Sequence, residues 1–196
     1  MKNIVEILYK PVQVFVRLDE MFVDDLNSNS NFIVGILGLV TGGYTCFAEY
    51  SHIKEFFSGG GAIGACIGIA LVTSALFVLL YNFVLTYLLY GIGRLLGASG
   101  LIADTRCAIA YSLVPRVFIS CLLLVLVVIS ESLFSNAFLK WVLLSLEILI
   151  WLWGLILLVI GFNTLNKYGI MKAVINSLPM VGILVVRLIL SEHWIL

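Results

Sequence analysis

Long apolar runs separated by short polar stretches organise this chain. Uncharged or nearly uncharged segments recur at about 32–47, 62–90, 113–130, 141–162 and 173–191. Most are long enough to be transmembrane helices, since a helix crossing a ~30 Å hydrocarbon core needs about 20 apolar residues. The first is short for the task and calls for flanking residues or local thinning of the bilayer. Ahead of them, Ile4, Leu8, Val12, Phe15, Leu18 and Phe22 recur at three- and four-residue spacings. That period predicts one apolar helical face, with Pro11 opening or kinking the helical part because it has no N–H to give. Such a helix lies in the membrane interface or packs on its own bundle; both placements use the same face. Asn27-Ser28-Asn29-Ser30-Asn31 reads as a polar linker and helix cap.

The expected fold class is therefore all-α: a polytopic membrane protein of five transmembrane helices preceded by an N-terminal amphipathic interfacial helix. Residues 1–31 form the amphipathic segment and 32–196 the membrane domain. The longest interruption runs from Gly91 to Cys121 and holds Arg94, Asp104, Arg106 and Arg116. It links a front helical hairpin to the back half of the chain.

Small residues mark one seam. Gly38 and Gly42 in the first span and Gly60, Gly64 and Gly68 in the second fall at similar depth in an antiparallel hairpin. Glycines let helix backbones approach where no hydrophobic force drives association, either within the chain or between two copies. Of the polar residues inside spans, Glu147 stands out. A mid-span carboxylate is costly and calls for a partner; matching depth on the antiparallel fifth span makes Arg187 that partner. The pair either ties helices together or forms a proton or ion site. Asn82, Tyr81 and Tyr87 supply interhelical hydrogen bonds or aromatic-belt packing.

Composition supports membrane residence: 62% of the 196 residues are hydrophobic and 11% charged. Soluble chains carry about 25% charged residues. The net charge of zero leaves no basic field for nucleic acid. Basic residues still distribute unevenly. Lys2, Lys10, Arg17, Arg94, Arg106, Arg116, Lys167 and Lys172 fall on one side of a five-span topology, and Lys54, Lys140 and Arg187 on the other. The bias places the N-terminus in the cytoplasm and the C-terminus outside.

No metal-protease, nucleophile-elbow, phosphate-loop or dinucleotide motif is present. The four aspartates lie outside the spans, so no aspartyl intramembrane dyad forms. The scattered Cys46, Cys66, Cys107 and Cys121 read as small membrane-embedded hydrophobes. We expect no catalytic, metal or cofactor site.

Several features together resemble the Yip domain family, the Ypt/Rab-interacting integral membrane proteins. They are the N-terminal stretch with Pro11 and Phe15, the basic link into Ala110-Tyr111-Ser112-Leu113-Val114-Pro115, and a Trp-rich fourth span followed by Lys172-Ala173. Leu8-Tyr9-Lys10-Pro11 keeps L-Y-x-P of the D-L-Y-G-P motif in the family's eukaryotic members. The short N-terminus is similar to the compact prokaryotic branch. The resemblance implies a five-span integral membrane protein of unsettled function, of the plasma or inner membrane if prokaryotic; the cytoplasmic N-helix and the Arg94–Arg116 link make a non-enzymatic adaptor or organiser the leading reading. Its partners would be membrane lipids and a membrane or cytoplasmic protein, with room for a homo-oligomer. Arg94, Arg106, Tyr111, Ser112, Pro115 and Arg116 are the candidate partner- or lipid-binding residues. The rival is a small oligomeric transporter or channel built on Glu147.

Overall fold

Helix Ile102–Ser112 is largely buried and packs chiefly against Ala137–Leu165 and Val23–Ala48. In the computed structural model, residues 5–48, 60–129 and 137–195 are described, together with Ile53 and Phe57. Among them every regular element is helical. In chain order these are α1 (Pro11–Asp19), α2 (Val23–Ala48), α3 (Gly60–Leu79), a π-helical turn (Leu80–Leu85) and α4 (Thr86–Leu95). After them come α5 (Ile102–Ser112), α6 (Val114–Ile129), α7 (Ala137–Leu165) and α8 (Ile170–Ile195). In α5, Ala103, Cys107, Ala108, Ile109 and Ala110 are all buried. The small side chains of Ala103, Cys107, Ala108 and Ala110 let α2 and α7 approach it closely.

Three stretches are long and apolar enough to cross a membrane: Gly61–Leu95, Ile102–Val125 and Ser145–Leu165; Ile170–Ile183 is a shorter apolar helix. The Gly91–Cys121 link is therefore largely helix. Only residues 96–101 form a loop. The rest joins the third apolar stretch because Asp104 turns back to accept a 2.6 Å hydrogen bond from the Leu101 N–H, satisfying a free donor at the start of α5.

Helix α1 starts at Pro11, where the missing N–H costs nothing. Its inner face is Val14, Phe15 and Leu18, packed against α7. Phe15 meets Tyr111 edge to face at 6.4 Å. A β-carbon on Gly161 would lie 2.9 Å from the Phe15 ring, so glycine makes the seat. Ile7 is buried with this face, whereas Val12 and Phe22, expected on it, are exposed. The buried stripe is thus rotated from the one the spacing gave. Asp19 anchors the helix end to Lys167 at 2.9 Å.

The polar run 27–31 is not a linker but the second turn of α2. Ser30 donates to the Leu26 carbonyl at 2.7 Å, and Asn27 and Asn31, four residues apart, lie on one helix face, Asn27 half-buried and Asn31 exposed. Farther along, α2 and α3 form the expected tight seam, with one side reassigned. β-Carbons on Gly38 and Gly42 would stand 2.5 Å from Ser74 Cα and 2.8 Å from Ala70 Cα. Gly64 and Gly68 have no neighbour within 4 Å. Ser74 completes the seam by donating to the Gly35 carbonyl at 2.9 Å.

Candidate functional site

Three polar groupings emerge from this packing, and they redistribute the candidate residues. The first joins α6 and α7. Leu113 breaks α5 from α6, and Pro115 sits in the first turn of α6, where a proline is tolerated. The turn carries Arg116 into the bundle, where only 9% of it is exposed. Its guanidinium lies 4.6 Å from the Trp151 ring centre and 3.4 Å from the Tyr81 hydroxyl. Glu147, one turn before Trp151 on α7, interacts electrostatically with Arg116. The Trp151 indole N–H faces the same carboxylate without reaching hydrogen-bond geometry. Tyr44 of α2 lies within the field of Glu147 as well. The arginine expected to reach outward to headgroups is instead the cation of an intramembrane cluster. The side chain of Arg187, the partner expected for Glu147, lies outside the described residues.

The second grouping surrounds the π-helical turn. In an α-helix the Thr86 N–H would bond to the Asn82 carbonyl; here it points to the carbonyls of Tyr81 and Phe83. The Thr86 hydroxyl also donates to Tyr81 O at 2.9 Å. Arg106 of α5 supplies a donor to the Asn82 carbonyl, Nε to O at 3.1 Å, and bonds Asn27 Oδ1 at 2.8 Å. The Asn82 side-chain amide donates to Asn31. One arginine and three asparagines thus lock α2 to the π turn and α5, with the guanidinium 5.5 Å from the Phe83 ring centre. The Asn27–Asn31 spacing carried this signal in the sequence. The π turn had no comparable sequence mark.

The third grouping is at the end of the bundle where α4, α5, α7 and α8 meet. Arg94, in the last turn of α4, donates to the Ala98 carbonyl at 3.2 Å and lies 5.8 Å from the Tyr90 ring centre. Gly97 takes φ +88°, a left-handed conformation that suits glycine. Lys172 Nζ stands 3.6 Å from where a β-carbon of Gly97 would be. Two exposed cations from different helices therefore converge on one loop. Beneath it, Asn176 donates to the Tyr168 hydroxyl at 2.6 Å, and Ser99 N–H bonds the Asn166 carbonyl at 3.2 Å. At the loop 166–169, the Asp19 carboxylate raises the pKa of the Lys167 ammonium, and burial raises that of the Tyr168 phenol.

The motif Ala110–Pro115 is buried throughout. Tyr111 packs on Phe15, and Ser112 donates to Ile109 O at 2.7 Å. A β-carbon on Gly154 would come within 2.8 Å of the Ser112 carbonyl. Tyr111, Ser112 and Pro115 thus shape the α5–α6 corner and its contact with α7. Of the six binding candidates, only Arg94 is exposed; Arg106 is half-buried in its asparagine network, and Tyr111, Ser112, Pro115 and Arg116 are buried. No cluster of His, Cys, Asp or Glu suited to a metal occurs among the described residues.

The Yip1 domain model matches residues 5–191, nearly the whole chain. The chain belongs to the Yip1 family. This Yip1 protein is an integral membrane protein of a non-enzymatic membrane protein family. No curated protein and no solved structure gives a significant match. The family match begins ahead of α1 and ends within α8.

Proposed function

We propose that this Yip1 protein is a membrane adaptor or organiser whose working surface is the loop end of the bundle. In this reading the chain crosses the membrane five times. The crossings are α2, the continuous α3–α4 rod, α5 with α6, α7 and α8. The N-terminus and the loops 96–101 and 166–169 are cytoplasmic, and the C-terminus is outside, as the eight-to-three division of basic residues supports. The observation that carries the proposal is the convergence of Arg94 and Lys172 on Gly97 among exposed apolar side chains. Leu95 is 89% exposed and Met171 74%, with Leu101 and Ile170 beside them. A monomer in water seldom exposes such a rim. At a membrane surface it has a use, holding headgroups or a partner against the bilayer. The test is co-purification from the native membrane after mild crosslinking. A stoichiometric partner lost from R94Q/K172Q, in a variant that keeps its thermal stability, supports the proposal; a partner set unchanged by that variant contradicts it.

The Arg116–Glu147 cluster favours a second reading, a small oligomeric transporter or channel. Ionisable residues inside membrane spans mark proton and ion paths in many proteins. Proton-coupled flux in liposomes that disappears in E147Q would decide for transport.

A further inference from the structure

An apolar groove opens between the α3–α4 rod and α8, below the two cations just described. It is lined by Leu80, Tyr81, Val84, Leu85, Leu88 and Ile183, with a volume of about 280 Å³. At 1.5 Å per residue, Leu88 lies about 9 Å and Leu80 about 21 Å from Arg94 along the rod. Ile183 lies about 16 Å from Lys172 along α8. The groove and the cation pair therefore belong to the same two helices, and the groove begins about one and a half helical turns beneath the charges.

We propose that this is a binding site for one anionic phospholipid. The phosphate sits between Arg94 and Lys172, and one acyl chain fills the groove along Leu88, Val84 and Leu80. This assignment rests on the adaptor reading and names a ligand of its surface. Charge complementarity selects the headgroup. The neighbouring acids are engaged elsewhere, Asp104 by the Leu101 N–H and Asp19 by Lys167. Arg94 is already held by the Ala98 carbonyl and the Tyr90 face, so its guanidinium is pre-positioned. Leu95, Ile170 and Met171 rim the loop as residues at the acyl–headgroup boundary do. A water-soluble acidic protein would account for the cations but not for an apolar groove running down from them.

The experiment reconstitutes the full chain in detergent with equal amounts of phosphatidylglycerol and phosphatidylcholine of identical chains. Retained lipid is then read by native mass spectrometry. The wild type retains the anionic lipid preferentially. R94Q/K172Q loses that preference, by about fivefold for each cation removed. L88W, which fills the groove, lowers retention of both lipids and keeps the residual preference. Equal retention of the two lipids by the wild type overturns the assignment, as does an unchanged preference in R94Q/K172Q. Displacement of the lipid by inorganic phosphate alone, or unaltered retention in L88W, would remove the groove from the site. The same samples report any co-purifying polypeptide. Lost lipid preference with a retained partner sinks only the lipid site; lipid selectivity with no partner sinks only the adaptor reading.

Discussion

Arg116 of α6 stacks on Trp151 of α7, one turn from Glu147 on that helix, and acts electrostatically on the Glu147 carboxylate. The Arg116–Trp151 stack joins the helix after the proline turn to the most Trp-rich helix of the bundle. Breaking a buried pair leaves a charge without its partner, at a cost of about 3 kcal/mol. E147Q and R116M should each lower thermal stability in detergent. The double variant should recover part of the loss, giving a coupling energy in a double-mutant cycle. Coupling of Glu147 to Arg187 but not to Arg116 would return the pair to the arrangement read from helix depth alone.

The α2–α3 seam gives an internally controlled test. G38A forces a β-carbon toward Ser74 Cα, and backbone cannot yield as a flexible side chain can. Overpacking of this kind costs about 1–3 kcal/mol. G64A and G68A, which meet nothing within 4 Å, should leave the melting temperature nearly unchanged. Equal effects at all three positions would contradict the seam.

Docking of α1 rests on Phe15. F15A empties the space between Tyr111 and Gly161 and should cost about 3 kcal/mol. Hydrogen exchange in residues 11–19 should rise toward that of an undocked helix. V12A, on the exposed side, should not change it.

R106M removes the donor that replaces Thr86 at the Asn82 carbonyl and unpairs Asn27. Leaving such buried groups unsatisfied costs about 1–3 kcal/mol. Local exchange at the π turn should speed up before global unfolding. If R106M behaves as a surface substitution, the network has no energetic role.

These sites separate what the sequence made legible from what it hid. Composition and run length gave helices and membrane residence, because hydrocarbon burial depends on totals rather than on partners. The Pro11 start, and Gly38 and Gly42 as a close-packing face, were also readable, since each depends on one residue's own backbone chemistry. Partner choice was not. Gly64 and Gly68 match the spacing rule as well as Gly38 does, but only rotation about the helix axis decides which glycines face inward. Asn27–Asn31 reads as a linker because polar residues are expected outside membranes; in α2, Asn27 and Asn31 instead bond Arg106 and Asn82. Arg116 follows a proline at the start of an apolar run, a position that predicts the headgroup surface. The short Leu113 break instead lets α5 and α6 run on as one apolar stretch, carrying that arginine inward.

A cytoplasmic working surface requires the Arg94–Lys172 end to lie inside the cell. Single cysteines at Lys172 and at His52, in a background with the four native cysteines removed, report this through labelling of intact cells by a membrane-impermeant maleimide. The expected result is labelling at 52 from outside and labelling at 172 only after permeabilisation. Labelling at 172 in intact cells would place the cation pair outside and contradict a cytoplasmic working surface.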